Sequence, residues 1–436
     1  MKKYKLKPIK IIILYSLLTI FLFEFGVMDF QHGDKFLLYF FLICAHLGIW
    51  FGYYCGVYSK RVSAYNGGYD GKYLLLKLYK YAFIIYLITF LPTFFIETRT
   101  YTFSISELIR KIQIGLTDST ILYNDIREAA KVSGIWRVIN WGIVLTGFVR
   151  WTFYPLSIYL WEYLKKYQKV FFWIFAFFYL ASFVTTGTTA GVFTTAFIIG
   201  VPFIMRRYRK QYIWAQDHEL KKKSKKRRLL TALLVVLVIF ACLWMFSNNM
   251  RSREASLYAG RGDFSSFPWF LMPEAVRPAI YWLTGYVAQG YKALSFCLEL
   301  PFTSTFGVGG SWFTIQNFSS LLGIPILDYT YLGKAEALGI GAYKNWHTVY
   351  TWIANDVSFV GVPFVLFFLF YLMAQSWTDY LDHNDGFAFI FMTIMGFFAL
   401  YISANNTVFS HSDTLFAFYI VLYLWKRCRK KYNYDL

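Results

Sequence analysis

Asn345-Trp-His-Thr-Val-Tyr-Thr-Trp-Ile-Ala-Asn-Asp-Val-Ser-Phe-Val-Gly-Val-Pro363 runs without a break from a polar, aromatic first half into the apolar residues 364–373. This pattern predicts an extracytoplasmic loop that passes directly into a membrane helix. His347, Asn355 and Asp356 would then lie at the rim of the bilayer. Because ionisable groups are expensive at that depth, we treat His347 and Asp356 as functional candidates.

The composition is that of a polytopic membrane protein. Of the 436 residues, 57% are hydrophobic and only 16% are charged, whereas about a quarter of the residues in a soluble protein are charged. The formal net charge is +20, but the basic residues cluster beside apolar segments, as cytoplasmic anchors do. Since no soluble domain carries these clusters, the sequence argues against a nucleic-acid partner. The five cysteines have no paired spacing that indicates disulfides or a zinc site.

About ten windows are apolar and long enough, at about 20 residues each, to cross a bilayer. They cover residues 9–27, 36–58, 79–97, 138–160, 170–186, 188–205, 229–247, 351–373, 387–404 and 408–425. Short basic segments alternate with long loops poor in basic residues, so the positive-inside rule predicts that both termini are cytoplasmic. The expected fold is an all-α transmembrane bundle in the plasma membrane, with residues 1–436 forming one integral membrane domain.

Two loops on the outer side are large. The first contains Ser104-Ile-Ser-Glu107, a capping-box spacing that predicts a short helix through Ile112. The second covers residues 248–350, and its apolar periodicity predicts an amphipathic helix, either on the membrane surface or packed on the outer mouth of the bundle. The apolar positions of that helix are Ile280, Leu283, Val287, Leu294 and Leu298. Phe306-Gly-Val-Gly-Gly-Ser311 follows with neither a preceding strand nor a P-loop lysine, and is interpreted as a flexible loop.

Four arginines are candidate ligands of a lipid-linked diphosphate. Arg251, Arg253 and Arg277 lie in the second large loop, and Arg150 lies within the fourth apolar window. A guanidinium stays charged and presents a planar fork that matches phosphate oxygens. The alternatives for the loop arginines are surface salt bridges and contacts with ordinary lipid phosphates. Arg150 needs a partner or a water-filled cavity, because it lies in mid-membrane.

His347 and Asp356 are the candidate catalytic residues. Both residue types suit removal of a proton from a sugar hydroxyl, and His347 is preferred because histidine titrates near neutrality. A helix that begins near Thr351 would hold Asp356 in its first two turns, where the macrodipole favours a carboxylate. Helix stabilisation by Asp356 and a purely structural role for His347 are the alternatives. No metal-ligand spacing is present, so no metal is expected.

A run of small residues, Thr185-Thr-Gly-Thr-Thr-Ala-Gly-Val-Phe-Thr-Thr195, is expected to turn between the fifth and sixth helices. Gly187 and Gly191 are four residues apart, a spacing that allows helices to approach closely. We therefore interpret this hairpin as a packing element.

With these motifs the chain resembles the Wzy-type oligosaccharide repeat-unit polymerases, the bacterial O-antigen polymerase family. The resemblance rests on His347-Thr-Val-Tyr-Thr351 followed by Asp356 and Gly361, on the small-residue hairpin, and on the large outer loop with its Gly-rich segment. Two positions depart from the family's pattern. Thr189 stands where many members carry an arginine, and Ser358 stands where a glycine is common.

The resemblance implies a membrane glycosyltransferase that polymerises undecaprenyl-diphosphate-linked repeat units for O-antigen, capsule or exopolysaccharide. The growing glycan would leave its polyprenyl diphosphate and join a hydroxyl of the incoming unit. The diphosphate departs without protonation if arginines stabilise its charge, so only a base for the hydroxyl is needed and no nucleotide or metal cofactor is expected. The expected partners are the lipid-linked oligosaccharide, membrane lipids, a chain-length regulator and a flippase.

Three other functions fit parts of the sequence. A glycan ligase of the same superfamily would share the scaffold and most of the chemistry. A lipid-linked oligosaccharide flippase or other transporter would carry charged residues through several helices and two similar halves, neither of which the sequence has. A structural partner of the polysaccharide machinery would need no catalytic site.

Overall fold

The computed structural model describes residues 2–59, 69–99, 104–128, 134–188, 190–215, 262–274, 276–342, 345–428 and 432–433. Over these ranges the fold is helical, with 14 helices of at least seven residues. Two short strands, Tyr69–Asp70 and Tyr432–Asn433, pair in parallel. The predicted all-α class is therefore confirmed.

The helices are numbered here in chain order. Up to residue 215 they are α1 (Lys2–Lys5), α2 (Lys7–Phe25), α3 (Lys35–Tyr58), α4 (Gly71–Thr98), α5 (Ile105–Thr117), α6 (Ser119–Glu128), α7 (Gly134–Thr146), α8 (Phe148–Tyr159), α9 (Lys166–Thr185) and α10 (Ala190–Trp214). From residue 262 they are α11 (Arg277–Cys297), α12 (Trp312–Leu322), α13 (Ile326–Tyr329), α14 (Tyr331–Ala335), α15 (Val349–His383), α16 (Gly386–Leu400), α17 (Thr407–Ser410) and α18 (Ser412–Cys428). Single turns of 3-10 helix cover Trp269–Leu271 and Glu336–Leu338.

Five of these helices are long and apolar enough to cross a membrane: α2, α3, α4, α9 and α15. They coincide with five of the predicted windows, as expected for a multi-pass membrane protein. Four other windows are helical but shorter, interrupted or more polar: α7 with α8, α10, α16, and α17 with α18. The window 229–247 lies outside the described residues, so the count of ten spans stays a prediction.

The chain divides into two compact units. The first unit comprises Met1–Lys77 and Leu283–Leu436, and the second comprises Leu78–Trp282. His347 and Asp356 belong to the first unit, whereas Arg150 and Arg277 belong to the second.

A row of glycines joins α3 to α15 in the first unit. Gly48, Gly52 and Gly56 are four residues apart, and each packs against a backbone carbonyl of α15. The three carbonyls belong to Pro363, Phe367 and Tyr371, which have the same spacing. A Cβ atom at any of the three glycines would overlap α15. The absence of side chains therefore allows the two helix backbones to touch, as in small-residue interfaces of membrane helices.

Residues near both ends of the chain contact the same end of α15. Lys5 Nζ forms an ion pair with Asp382 at 2.5 Å, and the Trp377 indole donates to the Tyr4 carbonyl at 3.2 Å. From the other end of the chain, Lys426 Nζ donates to Gln375 Oε1 at 2.7 Å. The first and last helices thus meet on one side of the bundle, as the predicted topology requires. That this side is the cytoplasmic one stays a prediction.

The predicted amphipathic helix of the second large loop is confirmed as α11, but its buried face matches the prediction only in part. Leu294 is buried as predicted and Leu283 is exposed, whereas Thr284, Tyr291 and Ser295 are buried as well. Thr284 packs on Gly26, the Tyr291 hydroxyl lies 3.0 Å from Thr19 Oγ1, and Ser295 Oγ accepts from the amide of Gly33 at 3.0 Å. Small and hydroxyl-bearing residues pack at this interface because they allow close approach and hydrogen bonding. In the first unit, α11 is therefore packed on the bundle.

The two local motifs of the second unit form as predicted, with different details. Ser104 caps α5 by accepting from the Glu107 amide, but α5 continues to Thr117, and Glu107 pairs with Arg110 at 2.7 Å instead of reaching back to the cap. Gly187 ends the turn after α9 with φ 65°, a conformation that glycine adopts without strain. A Cβ at Gly191 would overlap the ring of Phe183, which explains the need for a small residue there.

We predict that Gly52→Ala destabilises the protein by roughly 1–3 kcal/mol, because the added methyl group overlaps the backbone of α15 and neither helix can move aside cheaply. Gly200→Ala is the matched control, since a Cβ at this glycine of α10 has no atom within 4 Å. Thermal unfolding of both purified variants in one detergent checks the prediction. Equal unfolding temperatures for the two variants would show that the glycine row is not a close contact.

Candidate functional site

The segment Asn345–Pro363 folds as a capped helix that breaks soon after it begins. Thr348 caps α15 by accepting a hydrogen bond from the Thr351 amide at 3.3 Å. The helix starts at Val349, and Ser358 interrupts it with φ 59° and ψ 170°. Asp356 is therefore the eighth residue of α15 and lies two residues before the break. It stands near the carboxyl end of a short helical segment, so the expected help from the helix macrodipole is absent.

Backbone and hydroxyl donors hold the Asp356 carboxylate instead. Its Oδ1 atom accepts hydrogen bonds from Thr305 Oγ1 at 2.6 Å, from the Gly307 amide at 2.9 Å and from the Gly309 amide at 3.0 Å. The Gly-rich segment 306–311, which the sequence predicted to be a flexible loop, thus wraps one carboxylate oxygen. Successive amides of this kind form an anion-binding concavity, and here its anion is a side chain of the same protein.

Two buried asparagines clamp the same segment. Asn355 Nδ2 donates to the Gly309 carbonyl at 2.8 Å, and Asn355 Oδ1 accepts from the Tyr331 amide at 2.9 Å. On the other side, Asn406 Nδ2 donates to the Gly310 carbonyl at 2.7 Å. Both side chains are fully buried, and each uses donors or acceptors that would otherwise lack partners. The segment is consequently fixed from two sides.

An apolar cluster anchors this part of the second large loop on the start of α15. Its buried members are Ile315, Ile326, Leu332, Ala342 and Trp352. Trp312 of the loop packs edge to face on Trp352 of α15, with 5.2 Å between the ring centroids. Burial of these side chains from water, together with the asparagine bonds, makes the loop a packed extension of the helix.

The second oxygen of Asp356 is differently placed. Among the described residues, Oδ2 has no hydrogen-bond partner, and the side chain is only half-buried. Gly310 lies beside it, and a Cβ added to this glycine would lie 2.9 Å from Oδ2. Because Oδ1 is held by three donors, the carboxylate cannot rotate freely to avoid such a group. Gly310 therefore keeps Oδ2 accessible.

Strained backbone flanks Asp356 on both sides. The described residues include four non-glycine residues with positive φ, and two of them, Phe306 at 53° and Ser358 at 59°, are part of this site. Each such residue costs roughly 1–3 kcal/mol and persists only where its surroundings impose it. Ser358 adopts a backbone conformation that favours glycine. This conformation is a physical reason for a glycine at this position, which the family resemblance leads us to expect. Strain of this kind concentrates at functional sites.

His347 is in a closed position. Its side chain is 1% exposed, and neither ring nitrogen forms a well-aligned hydrogen bond with any part of the chain that the structure describes. Burial lowers the pKa of the imidazole to about 4, and an interaction with the Gly341 backbone offsets this only in part. At neutral pH the ring is therefore uncharged and a weak base. Its assignment as the catalytic base stays a prediction, but the geometry favours Asp356.

The two candidate arginines that the structure describes, Arg150 and Arg277, have local partners in the second unit. Arg150 pairs with Glu97 at 3.2 Å and lies over the ring of Tyr179. Arg277 donates from Nε to the Met272 carbonyl at 3.1 Å and lies over the ring of Phe264. Arg150 thus has the counterion that a mid-membrane position, if the sequence prediction holds, would require. The remaining two candidates, Arg251 and Arg253, lie outside the described residues, so the diphosphate site stays a prediction.

Several residues of the site were not found by sequence reasoning. Thr305, Asn406 and Lys334 belong to it, and Lys334 Nζ fixes the preceding loop segment by donating to the Pro301 carbonyl at 2.7 Å and Thr303 Oγ1 at 2.8 Å. A glycine-rich segment supplies accessible amides, and this property was a usable signal for an anion nearby. The anion itself, about 50 residues later in the sequence, could not be identified from spacing alone.

Comparison of the chain with protein-family models, with curated proteins and with solved structures found no significant match.

We predict a pH-dependent loss of stability that is specific to His347. The folded protein holds the imidazole neutral down to a pKa of about 4, whereas the unfolded chain takes up a proton near the ordinary value of 6.5. Protons then favour the unfolded state, so stability falls as the pH drops from 6.5 to 4, by on the order of 3 kcal/mol.

His347→Phe removes the titration and fills the same buried space. Above about pH 6.5, the unfolding free energies of this variant and of the original protein should therefore differ by a constant amount. Below that pH the difference should change. Parallel stability curves from pH 8 to pH 4 would contradict the buried, neutral state of His347.

Proposed function

We propose that this chain is a membrane glycosyltransferase that polymerises polyprenyl-diphosphate-linked oligosaccharide repeat units on the outer face of the plasma membrane. The observation that carries the proposal is the different environment of the two Asp356 carboxylate oxygens. Three donors hold Oδ1, whereas Oδ2 is open beside Gly310. A general base must be held firmly and still offer one atom to its substrate.

In the proposed reaction, a hydroxyl of the incoming repeat unit donates a hydrogen bond to Asp356 Oδ2. The hydroxyl oxygen attacks the anomeric carbon of the growing glycan, and its proton passes to the carboxylate. The bond between that carbon and the phosphate oxygen breaks, and its electron pair leaves with the polyprenyl diphosphate. Cationic groups would stabilise the charge of the departing diphosphate.

His347 has a supporting role in this scheme. It lies just before the cap of α15, and its closed, neutral ring makes it a weaker candidate for proton removal than Asp356. A role as the base would require the ring to become accessible when substrate binds. Activity of His347→Phe separates the two assignments.

We predict that Asp356→Asn lowers the polymerisation rate by roughly a hundred- to ten-thousandfold, the usual effect of losing a general base. The amide oxygen can still accept the three bonds from the loop, while the NH₂ group in place of Oδ2 cannot take a proton. The rate is measured in liposomes with lipid-linked repeat units isolated from cells that make them but lack the polymerase.

Gly310→Ala provides an independent test, because its methyl group obstructs Oδ2 and leaves the three bonds to Oδ1 in place. A rate reduction of at least tenfold is expected, whereas Gly142→Ala, with no atom within 4 Å of the added Cβ, should leave the rate unchanged. Normal chains from Asp356→Asn would exclude Asp356 as the base. Failure of the unmodified protein to lengthen any glycan would contradict the proposed function itself.

A further inference from the structure

Phe306 presents its ring almost completely to its surroundings. The side chain is 92% exposed, although it belongs to the segment that the carboxylate and the two asparagines hold in place. Its amide donates to Ser304 Oγ at 3.2 Å, and the next amide, of Gly307, donates to Asp356 Oδ1. The direction in which the side chain leaves the backbone is therefore set by the loop.

The backbone of Phe306 is strained as well. Its φ of 53° is a region that bulky residues rarely adopt. A glycine at this position would adopt the same conformation without cost, and four glycines occur in residues 307–323 of the same loop. Position 306 thus combines a strained backbone with an exposed aromatic ring. Neither feature helps the loop to fold.

The polar groups of the same loop indicate the chemistry of the ligand. Ser304 Oγ donates to the Asp356 carbonyl and Thr303 Oγ1 accepts from Lys334, so the open group is Asp356 Oδ2. A lipid tail would leave this oxygen without a partner, and a free phosphate would leave the ring unused. A sugar ring offers hydroxyls to this oxygen and, on one face, C–H bonds with partial positive charge, which the negative face of an aromatic ring attracts.

We propose that Phe306 is a substrate-contact residue that stacks on the apolar face of a sugar ring of the incoming repeat unit. The inference rests on the proposed function and assigns to its site an aromatic platform beside the base. Stacking positions the acceptor hydroxyl against Asp356 Oδ2, so the contribution of the ring appears in substrate binding more than in the chemical step.

Phe306→Gly should leave the protein at least as stable but should weaken substrate binding. Relief of the strained backbone should keep or raise the unfolding temperature, while the KM for the isolated lipid-linked repeat unit should rise about tenfold and kcat should change little. Phe306→Trp should retain a low KM, whereas Phe306→Leu, which is apolar but not aromatic, should behave like the glycine variant. Leu321→Ala, at another highly exposed apolar residue of the same loop, is the control and should leave KM unchanged.

A spectroscopic measurement separates this proposal from the function on which it rests. 4-Fluorophenylalanine at position 306, in protein reconstituted in nanodiscs, reports on the ring by ¹⁹F NMR without turnover. The resonance should shift with the lipid-linked repeat unit and not with polyprenyl diphosphate alone. A fluorinated ring at Phe368, an exposed position of α15, is the control for lipid contact.

Broadening of the position-306 resonance by a lipid-dissolved nitroxide, as expected at position 368, would place the ring in the bilayer and overturn the proposal. The proposal would also be overturned if the repeat unit did not shift the position-306 resonance in a protein that still polymerises glycan. A shift with the repeat unit in a protein that makes no polymer would uphold glycan binding and refute the polymerase function alone.

Discussion

Three glycines on one face of α3 allow its backbone to touch that of α15, and the arrangement of the site depends on this contact. Gly48, Gly52 and Gly56 meet the carbonyls that follow the break at Ser358. The apolar part of α15 is thereby fixed, and the short segment 349–357 is presented to the Gly-rich segment 306–311 at one defined angle. In a bilayer there is little hydrophobic drive between helices, so close packing of this kind is what positions them.

The break at Ser358 has a consequence for the electrostatics of Asp356. A carboxylate near the end of a short helical segment receives no help from the helix dipole, and the glycine-rich loop supplies that help with three hydrogen bonds to one oxygen. Each hydrogen bond to a charged group is worth roughly 1.5–3 kcal/mol. Three of them are enough to offset two strained residues at roughly 1–3 kcal/mol each. Oδ1 of the carboxylate thus orders the loop, while Oδ2 remains available for chemistry.

Sequence reasoning succeeded where one chain segment carries its own signal. Hydropathy located α2, α3, α4, α9 and α15, and apolar periodicity located α11. It failed where the decisive partner is distant in sequence. The buried face of α11 is set by close approach to Gly26 and Gly33, and the Gly-rich segment is ordered by Asp356. The four-residue spacing of the glycines in α3 was a readable small-residue signal that hydropathy does not capture, whereas the burial of His347 could not be foreseen from a polar, aromatic loop.

The Asp356 carboxylate organises the loop that forms the site. Hydrogen–deuterium exchange at the amides of Gly307 and Gly309 measures this directly, because both donate to Oδ1. In the detergent-solubilised protein these amides should exchange slowly, and Asp356→Ala should make them exchange at rates typical of an open loop while peptides from α3 stay protected. Fast exchange of both amides in the unmodified protein, or unchanged slow exchange in Asp356→Ala, would contradict the account.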